Sequence, residues 1–512
     1  MVLKFLSRRS GSRDPDVFFS TDHLNDDLRG RSVRSGAITI ATQVAKFSLQ
    51  MGGTLVLSRL LTPEDFGLIG MVAVILNFIE LFKDLGLVDA TVQKAKISHG
   101  QVSTLFWINM GLSSAITLTT IAAAPLIANF YGEPRLIPIM VVMACAFLLG
   151  GLASQHKALL QRQMNFAALA KIEVASIVTG TATAVILAYA GASYWALVFW
   201  RLVPALIDAV GVWLMCGWRP GLPKQNSGAG SMLAFGWNVT GFRTINYFAR
   251  NADNILIGRF QGAQALGIYS IAYRLLLMPI QQINAPVTNV ALPTLSRLQE
   301  EPQKFAAYYY KALMLITTVS MPMICFLFVD AAVLVELLLG SQWEAAAPLF
   351  QILAPAAFVG TVNVSLGWAF TSLGRVDKQL RQGICASIFT VIGFCIGVQY
   401  GITGVAVAYS ITQPVMMVVS LMYCYQKTPL SLGGFFSWIR YPALPALGAA
   451  LALSVVKSLA GLNLPIFWGV MIDGLAYCGF YVAFWSATPK SRAMMKEIFA
   501  IAKAMKGRSR ES

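Results

Sequence analysis

The sequence predicts an all-α polytopic membrane protein of about fourteen transmembrane helices, built as two pseudo-symmetric six-helix lobes plus two extra C-terminal helices. Three observations lead there. Of the 512 residues 56% are hydrophobic and 12% charged, with mean hydropathy +0.64, too apolar a balance for a soluble globular chain. Apolar runs near the roughly 20 residues needed to cross the hydrocarbon recur along almost the whole length. Lysine and arginine collect in alternate connecting segments, and the two halves repeat.

Residues 1–33 are polar and rich in Arg, Asp and Ser, and are expected to be a cytoplasmic tail. Apolar segments follow at about 36–58, 66–90, 104–130, 136–156, 169–190 and 193–216. These define an N-lobe over 34–216. After a polar connector at 217–231 come segments at about 232–258, 266–292, 306–329, 345–371, 382–400 and 404–426, a C-lobe over 232–427. Spans thirteen and fourteen, about 438–458 and 465–488, lie within 428–488, and 489–512 is a basic tail. AAVLVELLLG at 331–340 is too short to span and is expected to be an interfacial helix. KSRAMMKEIFAIAKAMK at 490–506 reads as a basic amphipathic helix suited to an anionic membrane surface.

Charge placement tests the span count. With both termini cytoplasmic, 29 of the 39 Lys and Arg fall in cytoplasmic segments and only Arg59, Arg135, Arg259 and Lys457 fall outside. One missed span would invert every later loop, so this asymmetry supports the count. The repeat has an offset of 200 residues: SRLLTPEDFGLIG at 58–70 aligns with GRFQGAQALGIYS at 258–270, pairing Gly67 with Gly267. A parallel repeat of six spans relates its halves about an axis along the membrane normal.

Candidate functional residues are the polar groups inside the spans, because charge at mid-membrane costs about 3 kcal/mol on insertion scales and rarely faces lipid. On the seventh span Arg243, Asn246, Tyr247, Arg250, Asp253 and Asn254 recur at steps of three and four, which puts them on one helical face. The first span carries Gln43, Lys46 and Gln50 at the positions of Arg243, Asn246 and Arg250. Two polar stripes of the same phase point to a shared wet cavity, with Arg243 and Arg250 as anion ligands and Lys46, Asn246, Gln43, Gln50 and Arg274 of the eighth span beside them. Plainer readings stand next to these: Arg250 pairs with Asp253 one turn on, Lys46 pairs with a carboxylate of a neighbouring helix, and Arg274 pairs with Asp253. Arg201 and Asp208 share a face and read as a bridge to other helices. On the second span Asn77, Glu80 and Asp84 form an acidic stripe; Glu80, Asp84 and Asp253 are the ion-coupling candidates, because an incoming proton or cation offsets a desolvated carboxylate. Pro279 and Pro286 are candidate bending points, and Tyr308, Tyr309, Tyr310 and Lys311 read as an interfacial belt.

Other classes lack their signatures. The basic charges flank apolar runs and form no basic face with interleaved aromatics, so no nucleic-acid partner is expected. The seven cysteines include no CxxC pair, and the three histidines are isolated, so no metal site or cofactor is indicated. There is no GxxxxGK[ST] phosphate loop, nor a catalytic Ser/His/Asp or Cys/His set, and the chain is expected not to be an enzyme. The N-terminus lacks the apolar core of a signal peptide.

Four stretches, SRLLTPEDFGLIGM at 58–71, DLGLVDATVQ at 84–93, LLQRQMNFAALAKIEVAS at 159–176 and ILIGRFQGAQALGIYSIAYRLLLMPIQ at 255–281, resemble the Wzx-type flippases. These form the polysaccharide-transport branch of the multidrug/oligosaccharidyl-lipid/polysaccharide (MOP) superfamily. The resemblance implies two lobes in a V around a central cavity that opens alternately to cytoplasm and periplasm. It implies a substrate as well: an undecaprenyl-diphosphate-linked oligosaccharide carried to the outer leaflet of the bacterial inner membrane for lipopolysaccharide or exopolysaccharide synthesis, with membrane lipids, a proton or sodium ion and polysaccharide polymerase machinery as partners. A MATE-like ion-coupled drug exporter is the alternative, and it calls for an acidic, aromatic cavity instead of a basic one.

Overall fold

The computed structural model describes residues 19, 28–83, 87–94, 97–223, 230–460 and 465–495. Fifteen α-helices run through them: α1 (Leu28–Leu60), α2 (Pro63–Glu80), α3 (Leu87–Gln93), α4 (His99–Tyr131), α5 (Leu136–Arg162), α6 (Phe166–Tyr189), α7 (Trp195–Cys216), α8 (Gly230–Arg297), α9 (Pro302–Val329), α10 (Ala331–Leu339), α11 (Ala346–Ser372), α12 (Val376–Gly397), α13 (Gly401–Tyr425), α14 (Leu432–Ala460) and α15 (Ile466–Trp485). Ten stretches of the described residues are long and apolar enough to cross a membrane. Two of these, Arg250–Arg297 and Val376–Tyr425, run across two predicted spans each. With α1 and α2 added, each predicted span has a helix over most of its length, and the protein is an all-α polytopic membrane protein. α10 is the short helix expected at 331–340.

Three expectations change. The second span does not continue to residue 90: α2 ends at Glu80, and α3 is a separate helix. Spans seven and eight are one 68-residue helical run, interrupted only at Gly262 (φ 81°, ψ −177°). That conformation is open to glycine and strained for other residues. Pro279 and Pro286 lie inside α8 with helical backbone, so the break in the run falls at Gly262. Of the four residues read as an interfacial belt, Tyr309 and Tyr310 are buried in the protein core instead. Tyr309 is fully buried with its hydroxyl on Ser365 Oγ at 2.9 Å, and Tyr310 stacks on Trp438 and bonds the Ser431 backbone. The C-terminal amphipathic segment is helical up to 495, and its remainder lies outside the described residues.

The chain divides into two compact units, Met1–Leu60 with Val72–Ile245, and Leu61–Met71 with Asn246–Ser512. In the first, α4 packs on α5, α6 on α7, and α1 on α6. Its core includes Phe106, Leu159, Val212 and Trp218. Arg162, only 7% exposed, donates to the carbonyls of Thr91 (3.2 Å) and Lys94 (2.5 Å), closing the end of α3 with a charge that would otherwise be stranded. In the second unit α9, α11, α13 and α14 surround Tyr309, Trp368 and Phe435, and α15 packs on α14. Lys457 bonds Asp330 and sits 2.9 Å from Asp473, tying α14 and α15 to the end of α9.

The repeated motif has a distinct role in the second unit. Thr62 caps α2: its Oγ1 accepts from the Asp65 backbone N–H at 3.3 Å, the Asp65 carboxylate accepts in return from the Thr62 N–H, and Pro63 opens the helix. One turn later Gly67 lies against the carbonyl of Ala263, and its repeat partner Gly267 lies against the carbonyl of Pro63. Phe66 meets the Trp343 ring edge-on at 5.3 Å, and Gln342 Nε2 donates to the Leu61 carbonyl at 2.9 Å.

Candidate substrate-binding site

The polar side chains of the first span do not share one environment. Gln43 and Gln50 are exposed, whereas Lys46 Nζ sits 3.1 Å from Glu173 Oε2 on α6. The carboxylate-partner reading of Lys46 therefore holds. α1 comes close enough to α6 for this bond because Gly53 packs against Thr181. Neutralising Lys46 alone leaves the half-exposed Glu173 carboxylate without its cation. A double-mutant cycle of Lys46→Met and Glu173→Leu, read by thermal unfolding in detergent, is expected to give a coupling of about 1 kcal/mol. Additive effects would show that the two groups do not stabilise one another.

On α8 the side chains of Arg243 and Asn246 lie outside the described residues. Arg250 is exposed and makes no ion pair among the described residues, so the plainer Arg250–Asp253 pairing is absent there. Asp253 is instead 3% exposed. It accepts from the Tyr269 hydroxyl at 3.0 Å and from the Asn254 backbone N–H at 2.8 Å. Tyr269 stacks on Tyr273, whose hydroxyl meets that of Tyr409 on α13 at 3.2 Å. Asp253→Leu strands the buried Tyr269 hydroxyl and should lower stability by about 1–3 kcal/mol, whereas Asp253→Asn keeps an acceptor there and should cost less. Equal melting temperatures for the two variants would refute this role. Arg274 is exposed. Glu80, also exposed, ends α2 with Lys83 Nζ at 3.7 Å, and Asp84 lies outside the described residues. Arg201 and Asp208 reach other helices, as expected of a bridge: Arg201 meets Asn77 at 3.4 Å and Asp208 meets Lys157 at 2.7 Å.

Arg250 opens into a cavity of about 380 Å³ within the second unit, between α8, α11, α12 and α13. Its polar lining is Asn363, Gln379, Gln382, Thr390, Gln413 and Ser420, over a floor that includes Leu366, Phe370 and Met417. Among the described residues the lining holds a guanidinium and many amides but no carboxylate. Such a set donates two parallel hydrogen bonds to an oxyanion and offers amides to hydroxyls, while the apolar floor excludes water. Sequence reasoning missed the amides. Their signal was present on α12, where Gln379, Gln382 and Thr390 share one face at helical spacing, but uncharged amides attract less notice than arginines. No group of three or more His, Cys, Asp or Glu able to hold a metal occurs among the described residues.

Residues 56–348 match the protein family described as polysaccharide biosynthesis protein. The chain belongs to that family. Relatives include the lipopolysaccharide biosynthesis protein WzxC of Escherichia coli K12, 25% identical over 84% of this chain and 89% of the relative. The teichuronic acid biosynthesis protein TuaB of Bacillus subtilis is 26% identical over 83% and 87%. Among solved structures, lipid II flippase MurJ in an inward closed conformation superposes with a TM-score of 0.68 at 14% identity, over 88% of this chain and 97% of that one. An inward-facing MATE multidrug transporter of the MOP superfamily gives 0.57 at 15% identity, over 75% and 94%. The polysaccharide biosynthesis family thus carries a flippase-like and MATE-like fold here, as the sequence motifs anticipated.

Proposed function

We propose that this membrane protein is a flippase that moves an undecaprenyl-diphosphate-linked oligosaccharide from the inner to the outer leaflet of the bacterial inner membrane by alternating access, both termini cytoplasmic. The observation that carries the reading is the cavity at Arg250, whose described lining residues include a guanidinium and amides and no carboxylate. A lipid-linked sugar cannot cross unaided, because its diphosphate and hydroxyls would lose their water in hydrocarbon. A guanidinium with surrounding amides replaces that water, and the polyprenyl tail stays in lipid. A MATE-like exporter of cationic drugs would want carboxylates where the described lining of this cavity has none. WzxC and TuaB, named for lipopolysaccharide and teichuronic acid biosynthesis, agree with a glycan cargo.

The test is to delete the gene and identify what accumulates. A lipid-linked oligosaccharide should build up on the cytoplasmic side and surface polysaccharide should disappear, both reversed by the wild-type gene. If no lipid-linked glycan accumulates, the reading is wrong. Ion coupling rests on Glu80, Asp84 and Asp253. In proteoliposomes, Asp253→Asn should make transport independent of an imposed proton or sodium gradient; an unchanged gradient dependence would leave Asp253 a purely structural partner of Tyr269.

A further inference from the structure

Within the second unit, three charges join the end of α9 to the two helices that lie beyond the internal repeat. Asp330 links α9 to α10: its backbone N–H bonds the Phe326 carbonyl at 3.0 Å, and its own carbonyl accepts from the Leu334 N–H at 2.8 Å. Its side chain is 0% exposed. Lys457, in the last turn of α14, binds Asp330 and stands 2.9 Å from Asp473 Oδ2 on α15. The two carboxyl groups lie within hydrogen-bonding reach of each other. One turn further into α9 and α15, the rings of Phe326 and Tyr477 meet at 5.7 Å and put an apolar contact beneath the charges.

Two carboxylates thus share one ammonium, and with all three ionised the cluster carries a net negative charge. Among the described residues nothing offsets it. The other charges of α9, Lys304 and Lys311, lie in its first turns at the opposite end, and Arg440 lies near the far end of α14. α15 has no other charged residue, while α10 and the turn after it add only Glu336 and Glu344, both acidic and exposed. Cys325 and Tyr477 complete the titratable neighbours, a thiol and a phenol that are uncharged near neutral pH. Asp330 Oδ2 is buried with no hydrogen-bond partner. A desolvated carboxylate in this position takes up a proton in preference to standing bare. Burial pushes the Asp330 carboxyl above its ordinary range and Asp473 adds to that, while Lys457 opposes both.

We infer that Asp330 and Asp473 hold one proton between them beside Lys457, and that this proton-binding site fastens α14 and α15 to the end of α9. A proton needs no open cavity, only two carboxyl oxygens already within reach of each other. A metal ion would need several more oxygen ligands, and an ammonium occupies the place where it would sit. The proton arrives by way of Asp473 and Lys457, whose side chains are 20% and 31% exposed. With it bound, the cluster is neutral and the buried Asp330 oxygen gains a partner. Once it leaves, two anions face each other over a single ammonium and the three helices are held less firmly. The site shares no lining residue with the cavity at Arg250 and works whatever the protein carries. Acidity on that side of the membrane would therefore set how tightly the two added spans are held.

The experiment follows thermal unfolding of the full-length protein in detergent from about pH 5 to about pH 9, for the wild type, Asp473→Asn and Asp330→Asn. The folded chain keeps a proton that an unfolded aspartate releases above about pH 4, so this contribution to stability is full at low pH and is lost as pH rises. The folding equilibrium should fall by up to about tenfold per pH unit, the slope for one proton, and then level off once the folded state has released it. Either asparagine leaves one carboxylate to one ammonium, so both variants should lack that fall. In infrared spectra, a protonated-carboxyl C=O band that the wild type loses on raising the pH should be missing from both. Should Asp330→Asn fail to accumulate, Asp473→Asn, at the partly exposed member of the pair, decides alone. A pH profile shared by the wild type and Asp473→Asn overturns the site. So does a wild type stabilised by sodium ion at constant pH with no response to pH, because a metal ion would then be the occupant.

Discussion

Arg250→Ala should abolish surface-polysaccharide export while the protein still accumulates in the membrane at normal level. Arg250 supplies the cationic donors of a cavity otherwise lined by amides, hydroxyls and apolar groups. Removing a charge-assisted hydrogen-bond pair to a diphosphate should weaken binding by about 10- to 100-fold, with no other cation among the described lining residues to compensate. Arg250→Lys keeps the charge but loses the planar fork that meets two oxygens at once, so it should restore export only in part. A conservative swap that works as well as the wild type would show that charge alone is being used. Adding Arg243→Ala should deepen the defect, and normal export in the double variant would end the anion-ligand reading of this helix face.

The largest loss of stability is expected from the smallest substitution, Gly67→Ala. An ideal Cβ on Gly67 would stand 1.7 Å from the Ala263 carbonyl oxygen and 2.5 Å from its carbon, and one on Gly267 would stand 1.8 Å from the Pro63 oxygen. Backbone atoms cannot rotate aside as a side chain can, so α2 and α8 must separate. That undoes the Phe66–Trp343 contact and the bond from Gln342 to Leu61. Overpacking of this kind costs about 1–3 kcal/mol, and more when backbone must shift. Gly267→Ala should match it. Gly52→Ala and Gly111→Ala are the controls, since a Cβ at either site meets nothing within 4 Å. Alanine is the better helix former by about 1 kcal/mol, so these should be neutral or stabilising. Thermal unfolding of the detergent-solubilised variants checks the order. A Gly67→Ala protein as stable as the Gly52→Ala protein would mean the crossing yields freely.

The amino-acid sequence by itself determined the membrane class, the run of helices and the repeat, because each is written in local quantities. Hydropathy over about 20 residues marks a span, and an offset of 200 aligns Gly67 with Gly267. Helical spacing likewise singled out Arg250. It did not reveal that those two glycines each lie against backbone of the other motif, that Arg250 and Asp253 part company one turn from each other, or that Lys46 belongs to Glu173. Nor did it mark Gln379 or Gln413 as cavity walls. Periodicity assigns a side chain to a face of its own helix and says nothing of which helix that face meets. The partner is chosen by packing between segments over a hundred residues apart, where one methyl group or one buried carboxylate decides how closely two helices approach. Only the tertiary structure holds that information.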